Sequence, residues 1–347
     1  MNDGDWQISY GSYDDLPGAL LTFGSQSSGI VCVNEPKVTF GDAENGDADL
    51  PGEDGIRLGR DYKKTATITF ELGIDGVDTI VDRHWPWRSY GNGGRIGGWS
   101  PGEQTIALAT KKGMSPEERV SEGVDMVRAV WDASSIRRRA TRVATLLHTR
   151  AGRTRRMYGR PRRFEVADSR LERQGYVPCV ADFVSVDARF YDNTEKTAPM
   201  WDYYLGSRPN RPGRPWWIVG AQAPSRKTVT VDQRGRLTTQ PVIVIHGPCK
   251  DPKITFSGLW SVQLAMTIAD GAYVTIDPRS WVRTVIRTSG GTTASVADKL
   301  TRASARLAEM TIPPGLWTAS LSYTRSSTKI MDGPKVDIKW RDAYAWW

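Results

Sequence analysis

Thiols and imidazoles are the first place to look for chemistry in a chain of 347 residues, and here they are few and scattered. Cys32, Cys179 and Cys249 are odd in number and stand at no metal-ligand spacing. They read as buried, reduced thiols acting as small hydrophobes. His84, His148 and His246 lie in separate segments without a cysteine or acidic partner nearby, so neither zinc nor another cofactor is expected. No Gly-x-Ser-x-Gly elbow, His-Glu-x-x-His helix or cysteine–histidine signature occurs. Asp75, Asp78 and Asp82 are neighbours, yet any chain with 39 acids contains such groups. The acidic stretch 42–54 does not follow the EF-hand order around Gly46 and Gly52. These absences argue against an enzyme.

The chemistry that remains is ionic and aromatic. Residues 137–163 hold eleven arginines and no acid, and without them the formal net charge of +8 becomes −3. The basicity is therefore one local feature. Its counterpart is 42–54, with Asp42, Glu44, Asp47, Asp49, Glu53 and Asp54 and no lysine or arginine. Clustered cations suit phosphate, but only Tyr158 and Phe164 interleave with the arginines, too few for a single-strand stacking platform. Specific nucleic-acid recognition is not expected. Trp260, Tyr273, Trp281 and Trp317 are available to stack on a sugar, against the simpler reading that they fill a sheet sandwich or a protein contact.

These side chains need elements to position them. With 25% charged residues, the chain suits a folded globular protein of about two domains. No apolar run approaches the ~18 residues of a spanning helix, and the start "MNDGDWQISY" lacks a basic n-region and an apolar h-region, so neither membrane insertion nor cleavage is expected. "TATITFELGI" from Thr65 alternates as a half-buried antiparallel strand. The stretch 82–100 is a Gly-aromatic loop with no phosphate-loop Gly-Lys-Ser/Thr. Ser115, Pro116 and Glu118 form a capping box, and Val120, Val124, Val127 and Trp131 make the apolar stripe of the helix behind it. Gly159 and Pro161 predict a bulged or turned hairpin in the arginine-rich stretch, and another strand pattern fills 176–191.

Pro199, Pro209, Pro212 and Pro215 mark a domain boundary near 198, dividing the chain into 1–198 and 199–347. The second part reads as eight short strands in a sandwich, with a helical crossing of one or two turns within 295–310 from Val296, Leu300, Ala303 and Leu307. Val336, Ile338 and Trp340 alternate as its last strand, and Tyr344, Trp346 and Trp347 beyond it are expected to fold back onto the domain or onto a neighbouring protein.

The order "GRPRRF", "VDARFYD", "VIVIHGPCKDPKITF", "IADGAYVTID", "IPPGLWTASLSYT" and "DIKWRDAY" resembles the distal tail proteins, or minor tail proteins, of long-tailed bacteriophages of the siphovirus type. The resemblance implies a mainly β fold with minor α: an N-terminal belt domain, a β-sandwich or split barrel with one helix and a long hairpin, followed by a galectin-like β-sandwich. It implies a structural component of the virion, made in the host cytoplasm and placed at the tail tip. There a hexameric ring would join the tail tube protein to the tip hub, or tail-associated protein, of the baseplate. Its channel would pass the tape measure protein and DNA, and a host cell-surface glycan is a further candidate partner. The charge pattern suits a ring independently, because a head-to-tail interface joins two different patches of one chain. Arg137, Arg138, Arg139, Arg142, Arg155 and Arg156 are the candidate basic side of that interface, and Asp42, Asp47 and Asp49 the acidic side.

Overall fold

The computed structural model describes residues 2–13, 16, 18–24, 29–44, 46–49, 54, 56–59, 62–76, 88–89, 115–167, 170–202, 225–325 and 333–347. Apart from Arg88–Ser89, the Gly-aromatic loop expected over 82–100 lies outside them. Two compact units result, Met1–Asn193 with Ala345–Trp347, and Thr194–Tyr344. Strands dominate both, and α1 is the one long helix among the described residues, so the fold is mainly β with minor α.

In chain order the first unit contains β1 Trp6–Tyr10, β2 Ala19–Phe23, β3 Ile30–Cys32, β4 Lys37–Phe40, β5 Ala43–Glu44, β6 Ala48–Asp49, β7 Ile56–Arg57, β8 Tyr62–Lys63, β9 Ala66–Asp75 and β10 Arg88–Ser89. Helices α1 Pro116–Asp132 and α2 Ser134–Arg137 follow, then β11 Ala144–Arg150, β12 Arg153–Val166, β13 Tyr176–Ser185 and β14 Phe190–Asp192. The main sheet runs β10-β2-β1-β11-β12-β13-β9-β3, with β4 also on β9 and β14 on β12. Its pairings are antiparallel, as the alternating sequence of β9 requires: Ala66, Ile68, Phe70, Leu72 and Ile74 are all buried on one face.

Helix α1 starts where its box predicts. Ser115 Oγ accepts from the Glu118 amide at 3.2 Å, and Glu118 Oε2 accepts from the Ser115 amide at 2.8 Å. Its buried stripe is wider than the sequence reading, taking in Met126 and Val130 beside Val120, Val127 and Trp131. Trp131 meets Phe23 and Phe70 edge to face, and its indole N–H reaches the Asp182 carbonyl at 3.1 Å. The helix thereby closes one side of the first core.

The second unit comprises β15 Lys196–Trp201, β16 Thr228–Gln233, β17 Val242–His246, β18 Cys249–Phe256, β19 Trp260–Gln263, β20 Thr267–Ile268, β21 Tyr273–Asp277, β22 Thr284–Ser289, β23 Thr292–Ser295, β24 Gly315–Thr324, β25 Lys335–Trp340 and β26 Ala343–Tyr344. Two antiparallel sheets form, β15-β25-β17-β21-β22-β23 and β16-β24-β18-β19 with β20 on β18. Ile243, Ile245, Val274, Ile276, Val336 and Ile338 from the first share one core with Val229, Val231, Ile254, Phe256, Val262 and Leu321 from the second. That is a sandwich, with more strands than the eight expected.

The helical crossing of one or two turns expected within 295–310 is not a continuous α-helix. Only the 3₁₀ turns Ala297–Lys299 and Leu307–Glu309 occur there. The Thr301 amide donates to the Gln263 carbonyl at 3.1 Å, the Ala305 amide to Ser261 at 2.9 Å, and Lys299 accepts from Ala265 at 2.8 Å. Pairing with the β19 edge satisfies backbone groups that a helix would have satisfied internally, and this tertiary pairing outweighs the helical spacing.

Candidate interaction surfaces

The arginines separate by the element that holds them. Ala133 takes a left-handed φ of 46° at the end of α1, and the chain turns through α2 into the loop leading to β11. Arg160, on β12, braces that loop. Its Nε donates to the Arg142 carbonyl at 2.9 Å, Nη1 to Arg137 at 3.1 Å, and Nη2 to Arg142 at 2.7 Å and to Arg139. A guanidinium fork used on three carbonyls fixes the loop backbone while the loop's own arginines point elsewhere. Burial, with the Arg162 charge beside it, lowers the Arg160 pKa. Arg139 and Arg142 lie over the Tyr13 ring, 5.8 and 4.4 Å from its centre, and exposed Arg137 pairs with Asp132. Arg138 is exposed and has no ion pair among the described residues.

Arg155 and Arg156 have partners within the chain. Arg156 Nε donates to Asn193 Oδ1 at 3.2 Å, and Arg155 Nη1 donates to the Trp346 carbonyl. The Arg155 contact helps hold the last residues on the first unit. Trp347 packs 4.8 Å from Trp6, 5.0 Å from His148 and 4.2 Å from Phe190, and His148 stacks on Trp6 at 4.0 Å. Burial depresses the His148 pKa, keeping the ring neutral among these aromatics. Arg150 and Arg153 sit at the hairpin tip, around Ala151 and Gly152 with φ of 50° and 71°.

The acids occupy a ribbon. From its root, where β4 pairs with β9, the chain runs out through β5 and β6 and back through β7 and β8. Ala43 faces Lys63, but Ala48 faces Arg57, so one extra residue on the return limb makes a bulge. The strands cross closely there, since a Cβ on Gly59 would come within 2.0 Å of the Gly46 carbonyl oxygen. Asp47 Oδ1 accepts from the Gly59 amide at 2.8 Å and pins the bulge. Asp42 and Glu44 are exposed and have no ion pair among the described residues. Asp49 is placed by its backbone on β6, opposite Ile56.

Between α1 and β12 lies a cleft of about 630 Å³. Its lining mixes Trp131, Pro161 and Phe164 with Arg128, Arg137, Arg162, Asp125 and Asp132. Nothing in the sequence marks Arg128 or Arg160. Arg160 is one arginine among eleven, and only its position on β12 beside the loop shows its role.

The aromatics proposed for sugar stacking do not share one platform. Trp260 donates its indole N–H to the Thr311 carbonyl at 2.8 Å and packs on Phe256. Trp317 donates to Pro313 at 2.9 Å. Tyr273 and Trp281 belong to the other sheet's strands and turns, beside His246 and Arg279 respectively. Four nearly buried carboxylates in this unit each have a cation: Asp202 with Lys227 at 2.7 Å, Asp277 with Arg279 at 2.6 Å, Asp337 with Lys335 at 2.9 Å and Asp342 with Lys196 at 2.6 Å. Among the described residues no group of three or more His, Cys, Asp or Glu could hold a metal, and no helix is long and apolar enough to cross a membrane.

No protein-family model matches the chain, and no curated protein matches it. Solved structures do. The Dit protein of phage SPP1, described as a paradigm of the hub adsorption apparatus in phages infecting Gram-positive bacteria, is 10% identical with a TM-score of 0.44 over 97% of this chain and 98% of that one. A chain of the phage P2 baseplate, activated with calcium, is 12% identical with a TM-score of 0.45 over 96% and 97%. The structural neighbours are phage hub and baseplate proteins.

Proposed function

We propose that the chain is a structural protein of a phage tail tip, forming a ring, six-fold by the sequence resemblance, between the tail tube and the tip hub. Its channel would pass the tape measure protein and DNA. The observation carrying the reading is that the first unit holds an exposed arginine loop, braced by Arg160, at a different place from the ribbon whose outgoing limb bears Asp42 and Glu44 and whose return limb bears Arg57 and Lys64. Distinct patches at different places on one chain suit a head-to-tail contact, which closes into a ring when the rotation per step allows. Repetition around the ring lets individually weak charge pairs hold the assembly.

Mass photometry of the purified chain tests this. The expected result is a closed oligomer of six copies, lost when Arg137, Arg138, Arg139 and Arg142 are all changed to Glu. A charge-reversed variant that still forms the same oligomer would contradict the assignment of the loop.

A further inference from the structure

We infer that the outward face of the six-stranded sheet is a glycan site that takes an oligosaccharide bearing an acidic group. This site stands apart from the ring contact. Register decides which side chains share the face, because directly paired residues point the same way and core residues take the alternate positions. Ile243, Ile245, Val274, Ile276, Val336 and Ile338 fill the core, so their neighbours along each strand face out. Trp201 pairs with Lys335, Lys335 with His246, His246 with Tyr273, and Tyr273 with Thr288, which sets one row straight across five strands. Beside it run Pro199, Asp337, Val244, Thr275 and Ile286, and Lys339 stands one outward position further along β25, opposite Thr197 and Val242. The outward face of the other sheet is different. Thr228, Ser320, Thr255 and Ser261 form a row of hydroxyls there, and among the described residues its strands point no aromatic ring outward.

A sugar is recognised by an aromatic ring that stacks on its C–H face and by a few placed polar groups that meet its hydroxyls. Tyr273 lies beside the His246 ring, 5.5 Å between centres, and its hydroxyl and those of Thr275 and Thr288 have no hydrogen-bond partner among the described residues. Asp337 is 8% exposed, and its Oδ2 meets Lys335 Nζ at 2.9 Å with His246 Nε2 3.6 Å away. These groups are held in place before a ligand arrives, which lowers the cost of binding. The charges select an acidic sugar. Burial lowers the His246 pKa, with Asp337 opposing the shift and Lys335 and Lys339 adding to it, so the ring is neutral near pH 7. Lys335 is matched by Asp337, and Asp277 by Arg279. Lys339 is left with no ion pair among the described residues, and exposed Arg226 adds a second cation over the Trp201 ring. The exposed acid Asp270 precedes β21, beyond the Tyr273 row and on the side away from Lys339. From Tyr273 to Lys339 is two strand spacings and four residues, about 10 Å by about 13 Å, the reach of an oligosaccharide rather than of a single sugar.

An array of acidic and neutral microbial oligosaccharides, probed with the full chain, tests the site. Sugars bearing a carboxylate or a phosphate should be retained at least about tenfold more strongly than their neutral counterparts, a difference that one charge-assisted hydrogen bond supplies. Uronates and phosphate-bearing sugars on the same array separate the two kinds of acid. Lys339→Gln should bring the acidic sugars down to the level of the neutral ones, and Tyr273→Ala should weaken both, each with an unchanged melting temperature. Thr318→Ala, on the outward face of the other sheet, should change nothing. Inorganic phosphate in excess should not displace the bound sugars, since it offers no ring for Tyr273 to stack on. Retention of no oligosaccharide, displacement by phosphate alone, or binding that Lys339→Gln leaves unchanged would overturn the site, and each would leave the ring reading untouched.

Discussion

The buried carboxylates of the sandwich and the exposed charges of the first unit differ in their partners. In the sandwich, the four nearly buried carboxylates Asp202, Asp277, Asp337 and Asp342 each meet a lysine or arginine of the same unit. In the first unit, Arg128, Arg138 and Arg162 and the acids Asp42 and Glu44 stay exposed without ion pairs among the described residues, on separate elements. Pairing inside a domain serves its own stability. Charge segregated on a surface serves an encounter, because it steers and orients a partner more than it stabilises the fold. Exposed Lys250, Asp270 and Arg302 of the sandwich also have no ion pair among the described residues, so the part of the first unit in assembly rests on the proposal above.

Asp202 shows the internal pairing of the sandwich. Its carboxylate takes Lys227 Nζ, Ser225 Oγ at 2.6 Å and the Tyr323 hydroxyl at 2.5 Å. Asp202→Ala should lower the stability of the sandwich by about 2 kcal/mol, below the cost of breaking a fully buried pair because Lys227 is half exposed. Arg138→Glu with Arg162→Glu should change unfolding by less than about 0.5 kcal/mol, as exposed substitutions do. Equal losses in chemical denaturation would erase the contrast.

The same carboxylate gives a pH test. Burial alone would raise the Asp202 pKa, but bonds from Lys227, Ser225 and Tyr323 outweigh it and hold the group below the ordinary value. Its contribution is therefore present above the unfolded pKa of about 4 and lost as pH falls through the folded value. The melting-temperature gap between wild type and Asp202→Asn should narrow as pH drops below about 4. A gap that stays constant would mean that ionisation is irrelevant there.

Arg160→Met keeps the aliphatic stem but frees three loop carbonyls. A loss of about 1 to 2 kcal/mol is expected, together with faster amide exchange over 138–143. Unchanged exchange would show that the loop holds its shape without the brace. Smallest of all, Ala151→Asn should gain about 0.5 kcal/mol, since Asn adopts the left-handed conformation at a two-residue hairpin more readily than Ala. A loss in thermal melting would contradict the turn geometry.

Features set by neighbours in sequence were legible, and those set by distant pairing were not. The Ser115 box and the alternation of β9 are local, and both appear as read. Val296, Leu300, Ala303 and Leu307 carry a helical spacing too, but the β19 edge that takes their backbone bonds lies more than thirty residues upstream. The acidity of 42–54 was plain, whereas its ribbon was hidden because strands of two residues leave no periodicity. Arg155 and Arg156 look like Arg138 in the sequence, yet their places on β12 give them Trp346 and Asn193 as partners. Tyr344, Trp346 and Trp347 read as a fold-back without a destination, and the last two find it against Phe190 in the first unit.

If unpaired charge on the first unit drives self-assembly, as proposed, assembly must weaken as salt rises. Sedimentation velocity of the wild-type chain across a salt titration tests it most directly. Screening weakens exposed ion pairs as the Debye length falls from about 10 Å at 0.1 M to about 3 Å at 1 M. A closed oligomer at low salt that dissociates to monomer as salt rises is the predicted result. An oligomer indifferent to salt, or a monomer at every salt concentration, would contradict it.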